Sequence, residues 1–157
     1  MPVWKELIHD TEKVSPGSVV NATNDRIENL DLQYDEQAKT LTFTGTIRSS
    51  TRPVGYSLIL TFKNVDRTQG LTEEEILQGY QPKPSLANNE VAMRCSCPSY
   101  RFRFAEANKH YQAATGPGFG VYHRKTDRAP NNPQNLPGAC KHLISFIIYL
   151  QDRDFIH

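Results

Sequence analysis

Two short pairs of metal-ligating residue types constrain this sequence more than any other feature. Cys95 and Cys97 stand two apart in "RCSCPSY", Cys140 and His142 stand two apart in "GACKHL", and the chain has no further cysteine. Because three cysteines cannot pair off completely as disulfides, the set is typical of a reducing compartment rather than a disulfide-stapled secreted domain. Thiolates and neutral imidazole are preferred zinc ligands, and a structural zinc site takes four of them in a tetrahedron. The four residues therefore predict one zinc site.

The two pairs are expected to reach the ion from different kinds of backbone. Two positions apart at the end of a strand, Cys95 and Cys97 point to the same side and can share one ion. Cys140 and His142 would lie roughly 200° apart around a regular helix, so Cys140 is predicted on the preceding loop or first turn and His142 just inside the helix. Gly138 is expected to give the backbone the freedom to do this, and free N–H groups at the helix start favour nearby thiolates.

The same four residues are also compatible with a site of a different kind. Free cysteine often behaves as a small hydrophobic residue, so the four side chains could belong to a core without a metal. Three thiolates and one imidazole also suit an iron–sulfur cluster, which is the alternative cofactor to Zn²⁺. His110 or His123, which lie between the two pairs, could replace His142 as the fourth ligand.

Hydrophobic patterning predicts a small sheet followed by a buried helix. Residues 39–48 alternate apolar and threonine side chains, and residues 56–65 form a second β-type run, so the two are expected to make a hairpin. A capping box from Thr72 to Glu75 predicts a helix over 72–78. Further predictions are a strand over 91–96, a helix over 99–112 with Ser99 as N-cap, and a mostly buried helix over 139–152. The expected class is α+β, with a small antiparallel sheet and the C-terminal helix around the metal site.

The remaining segments are predicted to contribute little to this packed unit. Residues 1–38 mix short apolar clusters with turn-forming "SPGS" and "NATND", and "IENLDLQYD" can close a helix or begin a strand. They are predicted to form an extended N-terminal arm with little core of its own, preceding a domain over 39–157. Residues 113–137 are rich in proline and glycine and predict a long loop within that domain.

The motif C-x-C, a spacer and C-x-H, present as "CSCP" and "GACKHL", resembles the two halves of the SWIM-type zinc finger. The resemblance implies a β-β-α unit, in which hairpin strands lead into the first pair and a helix carries the second. The spacer here, residues 98–139, is longer than is usual in that family. The longer pattern "VAMRCSCPSYRFRFAEAN" with "PGACKHLISFIIYL" is also similar to that of small virion proteins from the tail or baseplate of tailed bacteriophages.

These resemblances imply a structural subunit of a large protein assembly, a virion component made in the host cytoplasm, whose partners are other protein subunits. A four-ligand site leaves no position for the water that a catalytic zinc needs, so the protein is expected not to be an enzyme and to have no small-molecule substrate. The longest apolar run, "LISFIIYL", is too short to span a membrane, and no membrane partner is expected.

Uneven charge along the chain suggests an alternative function. Residues 94–141 carry eight Lys/Arg and two Asp/Glu, whereas residues 1–93 are net acidic. In the alternative, a cytoplasmic protein binds nucleic acid as SWIM-type fingers are thought to do, with Tyr100, Phe102 or Tyr122 stacking on bases. The phosphate contacts would come from Arg94, Arg101, Arg103, Lys109, Arg124, Lys125, Arg128 and Lys141. The same cations could instead form a solvated face that balances the charge of the thiolates.

Overall fold

A four-stranded antiparallel sheet with a C-terminal helix packed against it forms the centre of the molecule, which confirms the predicted α+β class. The computed structural model describes residues 2–14, 27–48, 55–119, 132 and 136–157. In chain order its elements are α1 (Trp4–Val14), β1 (Ile27–Asp35), β2 (Thr40–Ile47), β3 (Tyr56–Phe62), α2 (Glu73–Leu77), β4 (Val91–Cys95), α3 (Pro98–Arg103), α4 (Ala105–His110) and α5 (Lys141–Asp152).

The strands follow one another in the sheet in the order β1-β2-β3-β4, each antiparallel to its neighbour. In β2 the residues Leu41, Phe43, Gly45 and Ile47 are buried, and the intervening threonines are half-buried, so the predicted alternation is observed. The register places Leu58 of β3 opposite Cys95. The sheet therefore delivers the first cysteine at the end of its last strand.

Helix α5 packs an apolar face against the sheet. Its buried residues are Leu143, Ile144, Ser145, Phe146, Ile147 and Leu150. Gly45 lies directly against this helix, since a Cβ there would be at an ordinary packing distance of 3.5 Å from the Phe146 ring. Within the sheet, Phe43 of β2 packs edge-on against Phe62 of β3, with 6.0 Å between ring centroids. The helix begins near the end of the sheet that carries Cys95, as the motif predicted.

The predicted helix over 99–112 is divided into two short helices, α3 and α4. Phe104 separates them with φ −117° and ψ −26°, and its side chain is fully buried. The N-cap is Cys97 rather than the predicted Ser99, since the Cys97 Sγ accepts a hydrogen bond from the Tyr100 N–H at 3.3 Å. Pro98 then occupies the first helical turn, where its missing N–H costs nothing.

The expectation of an extended arm over residues 1–38 was wrong for the parts of that segment that the structure describes. Trp4 and Leu7 of α1 lie in the main hydrophobic core. Strand β1 pairs with β2 from Ile27 opposite Ile47 to Asp35 opposite Thr40. Its half-buried apolar residues pack against the same core. The charged residues that alternate with them made the segment look like a solvated arm.

The predicted loop over 113–137 begins with sheet-like pairing. Met93 of β4 donates its N–H to the Ala113 carbonyl at 2.8 Å and accepts from the Thr115 N–H at 3.3 Å. Asn132 is held further along, because its Nδ2 donates to the Arg103 carbonyl at 2.8 Å. The rest of the loop, residues 120–131 and 133–135, lies outside the described residues.

None of the helices in the described ranges combines the length and apolar character needed to cross a lipid bilayer.

Replacing Leu7 by Ala tests whether the N-terminal helix belongs to the core. Leu7 is fully buried, so removing most of its side chain should lower the free energy of unfolding by about 2–5 kcal/mol. Lys5→Ala on the exposed side of the same helix is the matched control, with an expected change within about 0.5 kcal/mol. Urea unfolding, followed by fluorescence of the single tryptophan Trp4 and by circular dichroism, measures both. Equal stability of the two variants would show that α1 is a detachable arm.

Candidate metal centre

Cys95, Cys97, Cys140 and His142 converge at one point, as their spacing predicted. Their ligand atoms all lie within 4.8 Å of one another, and the Cys95 Sγ is 3.9 Å from the His142 Nδ1. Ligands at ordinary zinc bond lengths in a tetrahedron lie roughly 3.5–3.8 Å apart. The four side chains can therefore hold a metal ion, and the donor set is compatible with zinc. No other group of potential metal ligands occurs within the described part of the chain.

The first pair is oriented by the edge where β4 ends and α3 begins. Cys95 is the last residue of β4, and Cys97 is the N-cap of α3. Ser96 between them is fixed to β3, because it donates its N–H to the Ser57 carbonyl at 3.1 Å and its Oγ accepts the Ser57 N–H at 2.9 Å. With Ser96 tied to Ser57, the two flanking sulfurs face the cluster together.

The second pair has the backbone that its spacing required. Cys140 is the N-cap of α5, with φ −73° and ψ 167°, and His142 is the second residue of the helix. The extended conformation at Cys140 removes the angular separation that a regular helix would impose, so both side chains reach the same point. Cys97 and Cys140 thus both stand at helix N-termini, where free N–H groups and the helix dipole favour negative sulfur.

The three cysteines are buried and unpaired by disulfides, and their proton affinities diverge strongly. Burial raises the pKa of the Cys95 and Cys140 thiols well above the usual range. Hydrogen bonds with Cys140 and Cys95 lower the pKa of Cys97 far below it. These opposite shifts arise because the three sulfurs share one buried site and hydrogen-bond to one another. A divalent cation bound by the sulfurs would displace their thiol protons and release them to solvent.

The imidazole forms the partly exposed side of the cluster. His142 is half-buried, whereas the three cysteines are buried. Tyr56, the first residue of β3, lies against the imidazole, with ring centroids 5.0 Å apart and an interplanar angle of 42°. This contact restricts the orientation of the ring while its Nδ1 faces the sulfurs.

A buried hydrogen-bond network behind the cluster joins the two ligand-bearing segments. The Tyr100 hydroxyl donates to the Met93 carbonyl in β4 at 2.8 Å and accepts from the Asn108 Nδ2 at 3.2 Å. Asn108 also pairs with the backbone of Gly138, donating to its carbonyl at 2.9 Å and accepting its N–H at 2.8 Å. Because Gly138 precedes Cys140 by two residues, Asn108 fixes the approach of the second pair to the first.

Gly138 is required for close packing rather than for an unusual backbone conformation. Its φ is not among the positive values found at other glycines, such as Gly116. A Cβ at residue 138 would instead lie 2.6 Å from the Thr11 Oγ1 and 2.7 Å from the Phe104 ring. Thr11 uses this proximity, since its Oγ1 accepts the Ala139 N–H at 2.9 Å. The N-terminal helix therefore also holds the segment that carries Cys140.

The basic residues proposed to contact nucleic acid have varied surroundings. Arg94 donates from Nε to the Pro117 carbonyl at 2.6 Å, and its guanidinium lies 4.1 Å from the Phe119 ring centroid. Arg101 is exposed, with its guanidinium 5.3 Å from the Phe102 ring centroid. Arg103 is half-buried and already contacts a neighbouring group, whereas Lys109 and Lys141 are exposed. Arg124, Lys125 and Arg128 lie outside the described residues.

Two of the alternative assignments fail on burial or position. Tyr100 was a candidate for stacking on bases, but it is buried and its hydroxyl is engaged with Met93. His110 was a candidate fourth ligand, but it is exposed, packs against Tyr111 and is not part of the cluster. Tyr122 and His123, the other candidates for these two roles, lie outside the described residues.

Comparison with known proteins identifies no relative: no protein-family model, curated protein or solved structure matches this chain.

Replacing Asn108 by Leu tests the network that positions the two ligand pairs. The variant keeps a similar volume but leaves the Gly138 N–H and carbonyl without partners, so metal affinity should fall about 10–100-fold. Exposed Asn88→Leu is the matched control and should bind metal like the wild type. Competition with a coloured zinc chelator gives both affinities. If Asn108→Leu holds zinc as tightly as the control, Asn108 does not position the centre.

Proposed function

We propose that the chain is a non-enzymatic structural subunit of a large protein assembly, held in shape by one structural Zn²⁺ in a SWIM-like site. The closely spaced cluster of three buried cysteines and one histidine is the observation that carries the proposal. Such a site contributes folding free energy directly, because the donors are brought together only in the folded chain. Cys95, Cys97, Cys140 and His142 would be the four ligands.

The spacing of the donors supports one zinc ion over an iron–sulfur cluster. In an iron–sulfur cluster the protein ligands bind several iron atoms, so the cysteine sulfurs lie farther apart than those around one ion. Here every donor atom lies within 4.8 Å of every other. Three sulfurs and one nitrogen also match a common donor set of structural zinc sites.

The composition of the cluster supports a structural role over a catalytic one. Catalytic zinc keeps a position for water and usually has a carboxylate nearby as general base. Four protein donors complete a tetrahedron, and neither Asp nor Glu belongs to the group within the described residues. The zinc would instead join the end of β4 to the start of α5, two elements that are far apart in the sequence.

The proposed setting is a virion, with the chain as a tail or baseplate component of a tailed bacteriophage. Its support is the resemblance of "VAMRCSCPSYRFRFAEAN" and "PGACKHLISFIIYL" to small proteins of that kind. The partners would be other protein subunits. An assembly subunit benefits from a metal staple, since a modest core can then remain folded while its surface residues bind neighbours.

Nucleic-acid binding through the segment 94–141 is the second candidate. Its support is the exposed Phe102 beside exposed Arg101, an arrangement that suits stacking on a base and contact with a phosphate. The engagement of Arg94 with Pro117 and Phe119 weakens it. A nucleic-acid complex would weaken steeply as salt rises, whereas an assembly subunit would co-purify with protein partners in fixed proportion.

Metal analysis of wild type and Cys140→Ser tests the proposed role. Wild type should contain one zinc per chain and show no visible iron–sulfur absorbance. Cys140→Ser should lose the metal, because serine is a weaker zinc donor than cysteine thiolate. Without the metal, the C-terminal half of the chain should be less stable, so the variant should melt at a lower temperature and no longer co-purify with protein partners from the native source.

Lys141→Ser, a change at the neighbouring exposed residue, is the control and should keep zinc and partners. Unchanged metal content and melting in Cys140→Ser would refute the structural zinc site. Zinc-loaded wild type that captures nucleic acid with a steep salt dependence, and no protein, would favour the second candidate.

A further inference from the structure

The exposed large hydrophobic side chains of the described residues fall into two groups. Ile76, Leu77 and Tyr80 form the first, which we call the α2 patch together with the neighbouring Glu73 and Glu74. The second is called the α3–α4 face and comprises Arg101, Phe102, Lys109 and Tyr111. An apolar group rimmed by charge is a common mark of an interaction site.

The apolar side chains of the α2 patch are not buried by packing within one chain. Helix α2 has no buried residue, and Leu77 is 88% exposed. The helix is nevertheless well defined, because the Thr72 and Glu75 capping box closes its first turn. Its acidic residues Glu73 and Glu74 are exposed. The sequence therefore maintains a short acidic helix that presents apolar side chains to solvent.

A groove beside the patch can accept an aromatic side chain. It has a volume of about 350 Å³ and is lined in part by Leu32, Tyr80, Pro82 and Phe155. Its charged lining is balanced, with two acidic side chains, Glu75 and Asp154, and two basic ones, Lys83 and Arg153. A groove with apolar walls and balanced charge, next to an acidic helix, suits a partner that offers an aromatic ring with cations around it.

The α3–α4 face has that complementary chemistry. Phe102 and Tyr111 are exposed, and Arg101 and Lys109 are exposed cations on the same pair of helices. Glu106 is the single acidic residue between Pro98 and Tyr111. The charge of this face is therefore opposite in sign to that of the α2 patch.

The two surfaces are attached to different segments around α5. Lys83 joins Glu75 of α2, at 3.2 Å, to Asp154 just beyond the C-terminus of α5, at 2.7 Å. At the other end, α3 begins at Cys97 in the metal cluster, and Asn108 of α4 binds Gly138 just before α5. The start and end of this 12-residue helix are about 18 Å apart, so the anchors at Asp154 and at Gly138 are well separated.

We propose that the α2 patch of one copy docks on the α3–α4 face of a second copy, giving a head-to-tail contact. Phe102 of one copy would enter the groove beside α2, while Glu73 and Glu74 would face Arg101 and Lys109. Because the two surfaces differ, the contact is heterologous and propagates into a ring or a filament rather than stopping at a dimer. The inference rests on the proposed assembly function and names a second copy of this chain as one partner.

Sedimentation velocity over a range of protein concentrations tests the contact. Wild type should form oligomers larger than a dimer, and the association should weaken at high salt. Leu77→Asp and Phe102→Asp should each weaken association at least about tenfold, because each removes one exposed anchor. Glu36→Arg, an exposed position in the turn after β1 that belongs to neither surface, is the charge-change control and should associate like wild type.

Mixing the two defective variants gives the sharpest result. Phe102→Asp keeps its α2 patch and Leu77→Asp keeps its α3–α4 face, so the mixture should form a 1:1 heterodimer that cannot grow. Zinc content and melting temperature equal to wild type would show that both variants are folded. A mixture that stays monomeric, or a wild type that is monomeric at every concentration, would overturn the contact.

A nucleic-acid oligomer added to the same samples tests whether the α3–α4 face binds nucleic acid instead of a second copy of the chain. Binding of that oligomer by wild type, lost in Phe102→Asp and kept in Leu77→Asp without self-association, would assign the α3–α4 face to nucleic acid and overturn the inference. A zinc-loaded monomer would overturn only self-docking, since the structural role is judged separately by zinc content and by co-purification with other proteins.

Discussion

Convergence of three sulfurs and one imidazole on a single point is the constraint on which the rest of this structure depends. Strand β4 ends at Cys95, α3 starts at Cys97, and α5 starts at Cys140, so three element boundaries coincide with the cluster. Burial raises the pKa of the Cys95 and Cys140 thiols, whereas hydrogen bonds from these neighbours lower the pKa of Cys97. A divalent cation bound there would replace the thiol protons and would join the end of β4 to the start of α5.

Behind the ligands, a second set of contacts makes the convergence possible. Asn108 pairs with both backbone polar groups of Gly138, and Thr11 accepts the next N–H along the chain. These bonds belong to α4 and α1, neither of which carries a ligand. The centre is therefore supported by most of the fold, including the N-terminal helix, rather than by the two ligand-bearing segments alone. This coupling is consistent with a metal that acts on stability.

The sequence predicted the structure well where a local pattern of residue types has a single physical explanation. Two cysteine-containing pairs predicted their own convergence, the threonine alternation predicted β2, and the Thr72 capping box predicted α2. It was less informative where tertiary contacts decide the outcome. The burial of Trp4, the break at Phe104 and the role of Asn108 all depend on partners distant in the chain, and no local periodicity marks them. Strand β1 was likewise not predicted as part of the sheet, because it is an edge strand whose solvent-facing side carries charged residues.

X-ray absorption spectroscopy at the zinc edge of the purified protein tests the proposed centre most directly, because it counts and identifies the atoms bound to the metal. The expected first shell is three sulfurs at about 2.3 Å and one nitrogen at about 2.0 Å, with no oxygen. A shell with fewer than three sulfurs, or with a water oxygen, would contradict the closed site formed by Cys95, Cys97, Cys140 and His142. Iron in place of zinc, with metal–metal scattering, would contradict it equally.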